Sequence, residues 1–180
     1  MIGFADGEVY FVETTMENDG AIYSIKPEGG SRRVFISGDN FSISPDSRYM
    51  AYTLSGGDAA GTKASSFAYI DMQTGDVTEI TRGFNVFNFM WSLDGKKIFY
   101  FENRLSGNSD DGEGEEQLTD EYPYTLWVYY TESGVNKAVA DLMSTSIIPG
   151  RDTDTVYICY TDKETLGSVV RATYALNTAQ

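Results

Sequence analysis

A short strand, a turn built on aspartate and an apolar, aromatic strand recur four times along this 180-residue chain. The copies read GFADGEVYFVE (3–13), SISPDSRYMAYTL (42–54), MWSLDGKKIFYFE (90–102) and, less cleanly, IPGRDTDTVYICYT (148–161). Asp-Gly and Pro-Asp-Ser make turns for stated reasons: proline presets φ, aspartate bonds its own backbone and glycine accepts positive φ. The tyrosine, phenylalanine, isoleucine or valine that follows each turn suits a strand. No window of eleven or more residues shows a capped 3.6-residue apolar period, so helix is not a competitor.

A second hairpin alternates with the first: AIYSIKPEGGSRRVF (21–35), FAYIDMQTGDVTEIT (67–81), TLWVYYTESGVNKAVA (125–140) and a shorter GSVVRATYALN (167–177). Each pair of hairpins makes four antiparallel strands, giving units at about 3–38, 39–83, 84–142 and 143–180 of a single domain. The loops that lengthen between second and third strands are 14–20, 55–65 and 103–123. A tandem four-stranded meander of roughly 40–50 residues is the unit of a β-propeller. One such sheet has two apolar faces and cannot bury both, so neighbours must stack. The expectation is an all-β array of about four blades, part of a larger propeller or completed by self-association in preference to a small closed four-bladed ring. A β-sandwich with similar hairpins is the competing architecture.

FSISPDSRYMAYT and FAYIDMQTGDVTEIT resemble the two halves of the TolB-like, WD-like propeller repeat. That repeat is also found in the tricorn core and in prolyl oligopeptidase-type propellers. The resemblance implies an interaction platform and an extracytoplasmic setting: periplasmic, secreted or cell-surface. It says little about function, because fold does not fix function. Such propellers close with six to eight blades and four are counted here, so a homodimer is one way to complete the array. The chain starts abruptly at MIGFADGEVYF, as a domain excised from a longer protein would, with any targeting segment outside it.

Charge and composition narrow the function classes. Twenty-seven Asp and Glu against 13 Lys and Arg give a net charge of −14. Binding nucleic acid needs clustered cations, so nucleic acid is excluded as a partner, and so is an anionic membrane surface. No segment approaches the ~20 apolar residues of a membrane span, so no membrane insertion is expected. The chain has no histidine, which removes Ser–His–Asp, Cys–His and zinc–histidine chemistry within it. Its one cysteine, Cys159, lies in the apolar run VYICY and reads as a structural thiol. No Gly-x-Ser-x-Gly elbow occurs, and EGGSRRV (28–34) is a hairpin turn rather than a phosphate loop. Asp152 and Asp154, two apart, would share a strand face, a geometry that permits acid–base work but also describes any polar edge.

The most unusual stretch is SGNSDDGEGEEQLTDEY (106–122). Asp111, Glu113 and Asp120 are the candidate Ca²⁺ ligands, in an EF-hand-like reading with Gly114 at the turn. That match is poor, since Ser109 falls at the first position and Asp120 rather than Glu at the twelfth. The simpler reading is a solvated insertion loop. Its residues Asp110, Glu115 and Glu116, with Tyr122 and Tyr124 beyond them, are the candidate partner-binding residues. Tyr122, Pro123, Tyr124 and Trp127 could form an aromatic edge, although Trp127 better suits a core. Tyr10, Tyr52, Tyr100 and Tyr157 read as equivalent positions on second strands, packed between blades.

These residues point to a non-catalytic propeller domain that binds a protein or peptide partner of basic or mixed charge through its loops. The alternatives are an accessory propeller of a hydrolase or lyase whose catalytic domain lies elsewhere, and a carbohydrate-binding propeller using its aromatic residues.

Overall fold

The structure, a computed structural model, describes residues 2–15, 18–54, 66–82, 85–104, 123–142, 145–150, 155–161 and 169–175. These residues form four separate antiparallel meanders. The first holds β1 (Ile2–Ala5), β2 (Glu8–Thr15), β3 (Asn18–Ile25) and β4 (Arg33–Ser37); the second β5 (Asn40–Ile43), β6 (Tyr49–Leu54), β7 (Ser66–Asp71) and β8 (Val77–Arg82). The third holds β9 (Val86–Trp91), β10 (Lys97–Asn103), β11 (Tyr124–Tyr130) and β12 (Val135–Leu142). In the fourth, β13 (Ser146–Pro149), β14 (Thr155–Thr161) and β15 (Val169–Ala175) make a three-stranded sheet among the described residues. The chain divides into two compact units, residues 1–86 and 87–180.

The aspartate turns are built alike in the second and third sheets. The Ser44 carbonyl accepts the Ser47 N–H at 2.8 Å, so it is unavailable to the ladder. The Ser44 hydroxyl takes over, accepting the Tyr49 N–H at 2.9 Å and donating to Asp46 Oδ1 at 2.6 Å. That carboxylate also accepts the Arg48 N–H at 3.1 Å. Ser92, Asp94, Lys96 and Lys97 repeat this pattern at 2.9, 2.5 and 3.1 Å. Ser47 (φ 62°) and Gly95 (φ 70°) hold the left-handed position that closes each turn. The first sheet turns in two residues instead, Asp6 and Gly7, both at positive φ.

In the fourth sheet Gly150 takes the serine position, its N–H bonded to the Thr155 carbonyl at 2.8 Å as Ser44 is to Tyr49. Counting from these turns corrects the tyrosine alignment. Tyr52 and Tyr100 lie three residues past the end of their turns, and the residues at that place in the first and fourth sheets are Phe11 and Ile158. Tyr10 and Tyr157 fall one residue short, on the opposite face. Tyr10 is still core, 4% exposed and edge-on to Phe35 with ring centroids 5.1 Å apart.

In the first unit the two sheets pack face to face. Ala5, Tyr10 and Ile22 meet Phe41, Met50, Tyr52, Ala68 and Ile70 in one apolar cluster. Side chains of β5 fill the space beside Gly3. A Cβ on Gly3 would lie 2.7 Å from Ile43 Cδ1 and 2.9 Å from Phe41 Cε2. In the second unit Phe99, Phe101, Leu126, Val128 and Leu142 of the third sheet enclose Val156 of the fourth. The inner strands of the second and third sheets are buried on both faces, Met50–Tyr52 of β6 and Lys97–Phe101 of β10 without a break, whereas the outer strand β8 has no fully buried residue, which is the pattern of an inter-blade core.

The first three sheets also share a bulge. Pairing slips between Ile22 and Tyr23, between Phe67 and Ala68, and between Leu126 and Trp127, which are equivalent sites on third strands. The extra residue on the outer strand is Phe35, Ile80 or Val139. Phe35 and Val139 pack against the cores of their units, so the bulge re-aims an apolar side chain inward from an otherwise polar strand.

Candidate functional site

In each four-stranded meander the two hairpin turns lie at one end. The connection between second and third strands leaves from the other. In the third sheet that connection is 104–123, which contains the acidic run, so its neck is where β10 ends and β11 begins. Register places Glu102, Thr125 and Asp141 in one row across β10, β11 and β12. The Thr125 hydroxyl donates to Asp141 Oδ1 at 2.8 Å, and Arg104 Nη1 lies 3.6 Å from the same oxygen. The Arg104 N–H donates to the Pro123 carbonyl at 3.0 Å and closes the neck. Trp127 Nε1 donates to Glu102 Oε2 at 2.9 Å, and its ring stacks on Tyr100 at 6.3 Å and 9°. Asn136 Nδ2 donates to the Tyr100 hydroxyl oxygen at 2.6 Å, and burial pushes the Tyr100 phenol up to about 12. The neck therefore carries two carboxylates, Glu102 held by the Trp127 indole and Asp141 by Thr125 and Arg104, with the fully buried Tyr100 ring stacked on Trp127.

The opposite end of each sheet carries charged turns. The Asp46 carboxyl is held below its usual range by the Ser44 hydroxyl and the Arg48 N–H. Burial alone would raise Asp94, but the Ser92 hydroxyl and the Lys96 N–H outweigh it and lower it. Asp71, 8% exposed, would likewise be raised by burial, but it accepts the Gln73 and Thr74 N–H groups and pairs with Arg48 at 3.0 Å, and the net shift is downward. These bonds all join residues of a single sheet, so they read as turn construction.

Of the residues singled out from sequence, Tyr124 is placed at the start of β11, half-buried, opposite Asn103 and Leu142. Asp110, Asp111, Glu113, Glu115, Glu116, Asp120 and Tyr122 lie outside the described residues, as do loop 55–65 and the Asp152–Asp154 pair. Among the described residues no group of three or more His, Cys, Asp or Glu side chains could hold a metal ion. Sequence reasoning missed Glu102, Arg104, Thr125 and Asp141. Their signal was available only as polar residues at and just past the end of IFYFEN, at the start of YTLWVYY and near the end of VNKAVADL. Trp127, read as core, is half-buried and spends its indole N–H on Glu102.

No protein-family model matches the sequence, and no curated protein does either. Solved structures do match in fold. TolB from Acinetobacter baumannii is 20% identical, over 96% of this chain and 39% of that one, at a TM-score of 0.58. The β-propeller domain of the Trilobed protease from Pyrococcus furiosus is 19% identical, over 96% of this chain and 52% of that one, at 0.65. Pyrococcus horikoshii acylaminoacyl peptidase is 14% identical, over 97% and 30%, at 0.68. The chain thus spans from under a third to about half of the proteins it matches. The fold is a β-propeller array, as the repeats at 41–53 and 67–81 imply.

Proposed function

We propose that this propeller array is a non-catalytic platform that binds a protein or peptide partner of basic or mixed charge. The reading rests on one observation: the acidic connection of the third sheet springs from a hydrogen-bonded neck in which Glu102, Arg104, Thr125, Trp127 and Asp141 fix one another. A loop on a rigid base is where recognition usually resides. The net charge of −14 favours a cationic partner and gives the association a salt dependence.

The test is binding of an array of lysine- and arginine-rich peptides to the chain at low and high ionic strength. Affinity is expected to fall at least about tenfold with added salt. It should fall similarly in a variant carrying Asp110→Asn, Glu115→Gln and Glu116→Gln, while Tyr124→Ala weakens binding without changing the salt slope. Affinity indifferent to salt and to the three neutralised carboxylates would refute the proposal.

A second reading draws on the peptidases among the fold matches, one of them a propeller domain. On that reading the array is the accessory propeller of a hydrolase. Gene sequence on either side of this chain encoding a Gly-x-Ser-x-Gly elbow would favour it.

A further inference from the structure

Aligned on their turns, the first three sheets present equivalent faces. In the second sheet that face is Phe41, Ile43, Met50, Tyr52, Ala68 and Ile70, and it is buried against the first sheet, with Phe41 at 1% and Met50 at 0% exposure. The same positions in the third sheet include Phe89, Trp91, Ile98 and Tyr100, all buried. In the first sheet they are Ile2, Phe4, Val9, Phe11, Tyr23 and Ile25. Here Ile2 is 68% and Phe4 70% exposed, and Val34 beside them is 59% exposed. Phe11 and Tyr23 already stack, 5.8 Å apart at 19°. The Arg32 guanidinium covers Tyr23 at 4.6 Å and pairs with Glu13, forming a polar rim. An apolar centre with such a rim has the anatomy of an interface.

Another exposed large apolar side chain is Ile148 (51%) on the fourth sheet. Register puts it opposite Tyr157, on the face away from the one that carries Val156 into the core. Of the remaining three, Val77 and Val135 are the first residues of the outer strands β8 and β12, and Leu93 sits in a hairpin turn.

We propose that a second copy of this chain covers the open face of the first sheet with the Ile148 face of its own fourth sheet, and that the contact is reciprocal. Length and area support a pair. The chain spans 52% of the Pyrococcus furiosus propeller domain, so two copies supply about the chain of one such array. One face of four six-residue strands measures about 400 Å² at normal strand spacing. That is roughly half of the ~800 Å² per partner of a standard interface, and two reciprocal contacts reach it. Two copies of net charge −14 repel, so the pairing tightens with salt, opposite to the binding of a cationic partner. The two proposals therefore fail independently.

Light scattering of the whole chain at micromolar concentration and moderate salt is expected to give twice 19.9 kDa. Phe4→Asp and Ile148→Asp each weaken association at least tenfold with far-UV circular dichroism unchanged, because both side chains are already exposed. An equal mixture of the two variants recovers part of the dimer, since one of its two contacts is then wild type. Leu93→Asp adds the same charge at a turn and leaves the mass doubled. A monomeric wild type overturns the proposal. So does a dimer that Phe4→Asp leaves intact, one that responds to Phe4 but not to Ile148, or one that Leu93→Asp also disrupts.

Discussion

Replacing Ser44 by alanine isolates what the aspartate turn contributes. The hydroxyl makes two bonds, accepting from Tyr49 N–H at 2.9 Å and donating to Asp46 Oδ1 at 2.6 Å, and Ser44 is 3% exposed. A bond to a carboxylate contributes more than a neutral one, but Asp46 is exposed, so solvent reduces it to about 1 kcal/mol. Loss of the partner of the Tyr49 N–H costs roughly another 1 kcal/mol, giving about 2 kcal/mol in all. A double-mutant cycle of Ser44→Ala and Asp46→Ala separates the two and should return a coupling of about 1 kcal/mol at pH 7. The folded-state pKa of Asp46 is depressed, so its contribution is present above the unfolded carboxyl value of about 3.9 and is lost as pH falls below it. The coupling should therefore shrink between about pH 4 and pH 3. Urea unfolding followed by far-UV circular dichroism is the assay, because both tryptophans, Trp91 and Trp127, lie outside the first unit. A coupling near zero at pH 7, or one unchanged at pH 3, would refute the reasoning.

Ser47→Gly should raise the melting temperature by about 2–4 °C, because Ser47 holds φ 62° where the third sheet has Gly95; a fall in melting temperature counts against left-handed strain at that turn. Tyr100→Phe should flatten the alkaline limb of the stability curve. With a folded pKa of about 12, the tyrosine's contribution is intact below about pH 10 and is lost as pH rises through 12; identical limbs in both proteins would show that the phenol is not buried as described. Gly3→Val should destabilise by about 1–3 kcal/mol, since its Cβ would lie 2.7 Å from Ile43 Cδ1; a neutral outcome in chemical denaturation would mean that the inner strands part easily.

The hairpins were legible because their turns carry their own chemistry: Asp6-Gly7, Pro45-Asp46-Ser47 and Asp94-Gly95 announce where the chain reverses. The order of sheets followed from the alternation of the two hairpin types. The facing of individual side chains was less legible. Tyr10 and Phe11 are adjacent aromatic residues, and identity alone favoured Tyr10 as the partner of Tyr52; only the turn end shows that Phe11 holds that place. In the fourth sheet Gly150 removes the serine that marks the turn, so Tyr157 was misaligned by one. The bulges left a trace in the apolar runs Val34-Phe35-Ile36 and Ala138-Val139-Ala140 on otherwise polar strands, but a one-residue slip in a period of two cannot be told from irregular patterning. The neck of the third sheet was hidden for another reason: Glu102, Thr125 and Asp141 are far apart in sequence and meet only through register.

The slip between Ile22 and Tyr23, and its counterparts in the next two sheets, bears on how these strands avoid polymerising. An outermost strand exposes a row of unsatisfied amides and carbonyls that would welcome a foreign strand. Inserting Phe35, Ile80 or Val139 breaks that row in the middle and turns its two halves out of line. An incoming strand can follow one half or the other but not both, so each of these three meanders shields its own border from fibril-like growth.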